Sequence, residues 1–129
     1  MSLTVEWFDV TTAVIDYLET ALAPVSTHSN VPNPRPTSFV RVERIPGGGR
    51  FDRVLEKVQL IVESWSNTDI DAEALGNAVR TAMGELAGTL QGGLTFSRVD
   101  EVTGMGNLPD PVSFQSRYTQ TFELTTRGH

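Results

Sequence analysis

The stretch of residues 51–86 constrains the fold of this chain more than any other part. Its first half contains the segment VLEKVQLIVESW, which begins at Val54 and has apolar residues at every second position over most of its length. Alternation with period two over this length predicts a strand with one face on a core. The row predicted to face the core consists of Val54, Glu56, Val58, Leu60, Val62 and Ser64. The opposite row is mixed, so that face is predicted to be partly solvated or covered by a partner. Its apolar members are Leu55, Ile61 and Trp65.

The strand leads directly into an amphipathic helix. Ser66, Asn67 and Thr68 break the strand and are residue types that cap a helix N-terminus. Carboxylates then follow in the first turn, where they complement the helix dipole. Beyond the cap, apolar residues recur at three- and four-residue spacing, which predicts one buried stripe. That stripe consists of Ile70, Ala74, Leu75, Ala78, Val79, Ala82, Met83 and Leu86.

A second helix and three further strands are predicted around this stretch. Apolar residues recur at helical spacing between Trp7 and Leu22, and Pro24 ends that pattern. Strands are predicted for residues 39–45, 94–102 and 112–126. Turns and loops rich in Gly, Pro and small polar residues are predicted for residues 26–36, 46–50, 88–93 and 103–111.

These elements predict an α+β fold in a single domain, residues 1–129. The predicted order is α-β-β-α-β-β, with two helices packed on one face of a mostly antiparallel four-stranded sheet. The composition agrees with an ordinary globular protein, since 39% of the residues are hydrophobic and 20% are charged. The order of the strands within the sheet cannot be read from the sequence.

The composition also argues against several classes of function. No apolar run approaches the length of a membrane-spanning helix, so no membrane partner is expected. The chain has no cysteine, which excludes disulfides and thiolate metal sites. The formal net charge of −6 disfavours binding to nucleic acid, so no sequence-specific nucleic-acid partner is expected.

No motif in the chain predicts an enzyme. Gly47, Gly48 and Gly49 lead into a strand, whereas a phosphate-binding loop needs a Lys and a hydroxyl residue at a helix start; a hairpin tip is predicted instead. The acidic run from Asp69 lacks the glycine and the final glutamate of a calcium loop. His28 has no second interior histidine with which to form a metal site. We therefore expect no catalytic residue, no cofactor and no metal.

Four short motifs carry a resemblance to a known family. They are Arg35-Pro36 before the first predicted strand, Gly47-Gly48 after it, Pro109-Asp110-Pro111 before the last strand and Arg117-Tyr118 within it. In these motifs, and in their order along nearly the whole chain, the sequence resembles the tail terminator (tail completion, or minor tail) proteins of long-tailed bacteriophages. The resemblance is to the type found in phages and prophages of actinobacteria. Ser116 departs from the family pattern, which has a proline before the arginine.

The resemblance implies a structural virion protein at the head-proximal end of the tail, synthesised in the cytoplasm of a bacterial host. Such proteins form a hexameric ring that caps the tail tube and presents a surface for head-tail joining. The implied partners are further copies of this chain, the tail tube protein and the head-side connector protein. The resemblance, together with the half-apolar face of the strand that begins at Val54, indicates ten candidate interface residues. They are Arg35, Gly47, Gly48, Gly49, Arg50, Leu55, Ile61, Trp65, Asp110 and Arg117.

Two other functions remain open on the sequence alone. One is a neck or head-completion subunit of similar size, which belongs to the same kind of particle. The other is a bacterial small-ligand-binding or adaptor domain, in which the sheet and helices enclose an apolar pocket.

Overall fold

A computed structural model describes residues 9–51 and 54–128, which form two helices and six strands. In chain order the elements are α1 (Val10–Ala21), β1 (Ser26–His28), β2 (Phe39–Phe51), β3 (Leu55–Ser66), α2 (Asp69–Leu86), β4 (Thr89–Gln91), β5 (Leu94–Asn107) and β6 (Ser116–Arg127). All six strands form one sheet in the order β1-β2-β3-β6-β5-β4. The sheet is mixed, because β1 runs parallel to β2 and the other neighbouring pairs are antiparallel.

The predicted fold, a mostly antiparallel four-stranded sheet in the order α-β-β-α-β-β, is wrong. The structure adds β1 and β4, each three residues long. β1 lies within the predicted loop 26–36, and β4 lies within the predicted loop 88–93. Three residues are too few to show a period in the sequence. Each short strand is instead set by its neighbour: β1 pairs with the start of β2, and β4 pairs with the start of β5.

The long strands also end at other residues than predicted. β2 continues through the predicted turn at 46–50 as far as Phe51, with a register shift between Ile45 and Gly48 that absorbs the extra residues. Gly48 has a φ of 70°, and a Cβ there would collide with the backbone carbonyl of Lys57. β5 likewise continues to Asn107, whereas β6 begins only at Ser116.

The hydrophobic core lies between the two helices and one face of the sheet. The inward row of β3 is confirmed, because Val58, Leu60 and Val62 are fully buried. From β6, Phe122 and Leu124 lie beside that row, in register with Leu60 and Val58. The predicted caps are confirmed for α2, where Thr68 accepts a hydrogen bond of 3.2 Å from the Asp71 amide. Asp9 caps α1 in the same way, because its carboxylate accepts a hydrogen bond from the Thr12 amide.

The buried stripe of α2 is rotated from the predicted one. Val79, Met83 and Leu86 are buried as predicted, but Ile70 is exposed and Leu75 is only partly buried. Ala74 and Ala78 of the predicted stripe are also exposed. The buried set is Ala72, Gly76, Val79, Ala82, Met83 and Leu86. The predicted contribution of Trp7 to α1 lies outside the described residues. Neither described helix is long and apolar enough to cross a membrane.

Adjacent residues of α2 allow a direct test of this orientation. Val79 is fully buried, whereas Ala78 is exposed. Val79→Asp places a carboxyl group in the core without a partner, and we expect it to lower the free energy of unfolding by at least about 2 kcal/mol. Ala78→Asp adds the same charge one residue away, on the solvent side, and should cost less than about 1 kcal/mol. Urea denaturation measures both values; equal losses would show that the helix presents another face to the sheet.

Candidate functional site

One face of the sheet is covered by the helices, and the other carries a row of aromatic and charged side chains. We call this second side the open face. The register places Phe39 of β2, Trp65 of β3 and Arg117 of β6 opposite one another on it. The next row on the same side contains Arg41 and Glu63. Phe39 and Trp65 are buried, although they lie outside the main hydrophobic core.

Trp65 lies at the centre of this group, which we call the Trp65 cluster (Arg35, Phe39, Arg41, Glu63, Trp65 and Arg117). Its ring stacks on Phe39 with a centroid distance of 5.1 Å and an interplanar angle of 19°. The guanidinium carbons of Arg35 and Arg117 each lie 5.3 Å from the centroid of the Trp65 ring. Cation–π contacts of this kind are worth about 0.5–2 kcal/mol each, more when water is excluded.

Glu63 supplies the negative charge that the cluster needs. Its Oε1 accepts hydrogen bonds from Trp65 Nε1 and from Arg41, each 3.2 Å long, and its Oε2 lies 3.5 Å from the Arg117 guanidinium. The Glu63 side chain is only 9% exposed. Burial by itself lowers the pKa of Arg41, but the hydrogen bond and charge of Glu63 outweigh that effect and raise the pKa above its ordinary value. The cation is therefore held in its charged form.

Two loops are fastened together over this end of the sheet. Arg35, in the proline-rich loop between β1 and β2, donates a 3.2 Å hydrogen bond to Gln115, in the loop between β5 and β6. The Gln115 amide in turn donates to the Thr37 carbonyl at 3.4 Å. Arg117 holds the same loop through a 2.8 Å hydrogen bond from Nε to the Leu108 carbonyl. The two arginines thus join the loops to the aromatic rings.

The loop between β5 and β6 carries an exposed apolar surface, which we call the apolar tip (Leu108, Val112 and Phe114). Val112 and Phe114 are 86% and 81% exposed. Phe114 has a φ of 59°, a left-handed conformation that is rare for an aromatic residue. Asp110 holds the turn, because its carboxylate accepts hydrogen bonds from the Ser113 hydroxyl and amide at 2.6 and 2.9 Å.

The ten predicted interface residues fall into two groups. Arg35, Trp65, Asp110 and Arg117 come together in or beside the Trp65 cluster. The others lie along the β2–β3 hairpin, with Ile61 half-buried on the open face. The residues at the far end of that hairpin are Gly47, Gly48, Gly49, Arg50 and Leu55. Their role in an interface stays a prediction.

Sequence reasoning missed Phe39, Arg41 and Glu63 as members of the cluster. A signal was present, because Glu63 and Trp65 occupy the same face of a period-two strand. The opposite strand supplies Arg41 and Phe39 at the same spacing, but only the pairing register shows that they meet. Within residues 9–51 and 54–128, no group of three or more His, Asp or Glu side chains could hold a metal ion.

The dependence of the cluster on one carboxylate can be tested with two neighbouring glutamates. Glu63→Gln leaves the Arg41 and Arg117 guanidinium groups close together without their shared counter-ion. We expect it to lower the free energy of unfolding by about 2–4 kcal/mol. Glu43 also contacts Arg41, at 3.1 Å, but is half exposed, so Glu43→Gln should cost less than about 1 kcal/mol. Chemical denaturation measures the free energy of unfolding of both variants. Equal losses would contradict the assigned role of Glu63.

The turn held by Asp110 should open in acid. Its hydrogen bonds to the Ser113 side chain and backbone hold the pKa of Asp110 below its ordinary value, and Arg117 adds to this effect. A lowered pKa in the folded state means that the stabilisation is present above the ordinary pKa of the carboxyl and is lost as pH falls through the lowered one. Hydrogen exchange of the Ser113 amide should therefore accelerate, relative to its intrinsic rate, below about pH 4. Asp110→Asn should remove that pH dependence, and an unchanged profile in the variant would contradict it.

Comparison with known proteins shows a likeness in fold. Neither a family model nor a curated protein matches the chain. A solved structure does match: a chain in the virion of a native gene transfer agent (GTA) particle, with a TM-score of 0.71 and 15% sequence identity. The match covers 92% of this chain and 95% of that chain. The two proteins therefore share their fold over nearly their entire lengths.

Proposed function

We propose that this protein is a non-enzymatic structural component of a phage-like virion, which closes into a ring on the end of a tail tube. In that position it caps the tube and forms the tail-side surface for head-tail joining. The observation that carries the proposal is the fold shared with a chain of the gene transfer agent virion over nearly the whole of both proteins. The proposed partners are further copies of this chain, the tail tube protein and the head-side connector protein.

The exposed apolar tip supports a role in assembly. Monomeric proteins seldom expose several large apolar side chains close together, and such patches commonly mark contacts with other proteins. Here Val112 and Phe114 lie on one turn that is fixed by Asp110, while Arg117 holds the Leu108 carbonyl. A surface that is apolar and also held in place is suited to docking, because little conformational entropy is lost on binding.

The charge of the chain supports a position around a DNA channel. A net charge of −6 leaves no general attraction for phosphate groups. In the Trp65 cluster, Glu63 shares its charge between Arg41 and Arg117. A net negative charge of this size therefore agrees with a ring through which DNA passes.

The alternative of a small-ligand-binding domain receives less support. The space between the sheet and the helices is filled by core side chains such as Leu18, Met83 and Phe96. An open groove of about 570 Å³ lies between α1, α2 and the β4–β5 turn, and its lining includes Asp16 and Glu85. Small-molecule sites usually bury most of the ligand's surface, which an open groove does not do.

Deletion of the gene from the phage or prophage that carries it tests the proposal. Without a cap the tube has no defined end and no surface for the head. We therefore expect filled heads that are not joined to tails, and tail tubes of abnormal length, when the lysate is viewed by electron microscopy. Tails of normal length beside unjoined heads would favour the neck or head-completion subunit instead. Normal complete particles would overturn both.

Complementation of the deletion tests the apolar tip. Val112→Ser with Phe114→Ser removes two exposed side chains, so the melting temperature should stay the same while head-tail joining is lost. Leu90→Ser is the matched control, because Leu90 is also exposed but lies on β4, at the opposite end of the sheet. The control should restore complete particles. Full restoration by the tip variant would show that this loop makes no essential contact.

A further inference from the structure

Two long strands of the sheet have outer edges that are covered at one end only. β1 pairs with β2 at Phe39–Arg41, and β4 pairs with β5 at Leu94–Phe96. Beyond these points, and within the described residues 9–51 and 54–128, no strand lies along the outer side of residues 43–49 of β2 or of residues 97–107 of β5. We call these segments the β2 edge and the β5 edge. Edges of this length present backbone donors and acceptors that can pair with another chain, except at Pro46 of the β2 edge, which has no N–H to donate.

We propose that the β2 edge of one subunit pairs with the β5 edge of the next copy, so that a continuous sheet runs around the ring. This inference rests on the ring proposed above. Going across the sheet, β2, β3, β6 and β5 alternate in direction, so β2 and β5 run in opposite directions within one subunit. A rotation about an axis along the strands preserves these directions. The β2 edge therefore meets the β5 edge of its neighbour antiparallel, in the same sense as the other long strands.

The two edges differ, as ring closure requires. A ring is built from heterologous contacts, in which one patch meets a different patch of the next copy. Pairing of one edge with itself would form a two-fold dimer and would leave the other edge open. Pairing of β2 with β5 engages the β2 edge and the β5 edge of every subunit, so neither of these two segments stays open when the ring is complete.

The pairing register within the subunit indicates which residues meet across the junction. Arg44 of β2 pairs with Leu60, Leu60 pairs with Phe122, and Phe122 pairs with Glu101 of β5. Arg44 and Glu101 thus lie at the two ends of one row of paired residues that crosses the sheet. Their side chains are on the face of the sheet that carries the helices. If that row continues without offset into the next subunit, the Arg44 guanidinium lies opposite the neighbour's Glu101 carboxylate.

Both side chains have room for this contact. Arg44 is 46% exposed and Glu101 is 37% exposed, although Arg44 contacts Glu56 and Glu101 contacts Arg80 in the same chain. The adjacent rows agree with this register. Glu43 and Thr103 lie at the two ends of one of these rows. Opposite charges across strands stabilise a pair and like charges destabilise it, and these two rows bring no like charges together.

Cysteine cross-linking tests the pairing, because the chain has no native cysteine. Glu43→Cys with Thr103→Cys places thiols at the two ends of one row, on the same side of the sheet, where directly opposed Cβ atoms are about 4.5–5.5 Å apart. Glu43→Cys with Glu101→Cys is the matched control, since its side chains point to opposite sides. Each pair is expressed from the phage in place of the native gene, and purified particles are oxidised and run on a non-reducing gel.

We expect a ladder of covalent multimers that ends at the complete ring for the first pair and little or none for the control. Particles that contain the protein but give no multimers from the first pair would overturn the edge pairing alone. Native particles that lack the protein would overturn the ring function itself, and the edge pairing with it.

A charge exchange keeps the inference testable if the cysteine variants fail to assemble. Arg44→Glu and Glu101→Arg each place like charges across the junction, and within the chain they also do so beside Glu56 and Arg80, respectively. Each should reduce the infectious titre by about tenfold or more. The double exchange restores opposite charges across the junction but not beside Glu56 and Arg80, so its titre should exceed that of either single variant by about tenfold. In one subunit the two residues are three strands apart, about 14 Å, which exceeds the screening length at physiological salt. Recovery therefore reports a contact between copies, and no recovery with folded, soluble variants would overturn the proposed register.

Discussion

The uninterrupted ladder between β3 and β6 is the constraint on which the rest of this structure depends. All twelve residues of β3, Leu55–Ser66, pair in a single register with Ser116–Arg127 of β6. Because side chains alternate between the faces, a slip of one residue would move Val58, Leu60 and Val62 from the core to the open face. The same slip would separate Trp65 from Arg117. One register thus fixes both the hydrophobic core and the polar cluster.

Regularity decreases from this ladder toward both sides of the sheet. β2 has one register shift against β3, and β5 has three against β6. Sequence reasoning followed the same gradient: it found β3, the cap of α2 and most of its buried stripe, where one local pattern is sufficient. It failed at β1 and β4, which are short and depend on a distant neighbour. It also read Gly47 and Gly48 as a hairpin tip, although the glycines form an irregularity within a longer strand.

The candidate site shows the same limit at the level of side chains. Trp65 could be selected from sequence, since a large aromatic residue on a half-polar strand face suggests a contact. The burial of Glu63 could not, because it depends on Arg41 from β2 and on Arg117 from β6. Compared with apolar packing, buried ion pairs of this kind contribute little net stability, since desolvation offsets much of their attraction, although removal of one partner alone is costly. The cluster therefore holds two loops in place more than it stabilises the fold.

The strands also give the subunit two unlike ends. The Trp65 cluster and the apolar tip lie at one end of the β3–β6 ladder, while Leu55, the glycines of β2 and the start of β5 lie at the other. In a ring whose axis follows the strands, these ends lie on opposite faces, and the paired edges form the wall between them. One face then presents apolar side chains on a fixed turn, and the other presents glycine-rich backbone at the end of a hairpin. The proposed function, joining two different partners, needs two unlike faces, and the direction of the strands provides them.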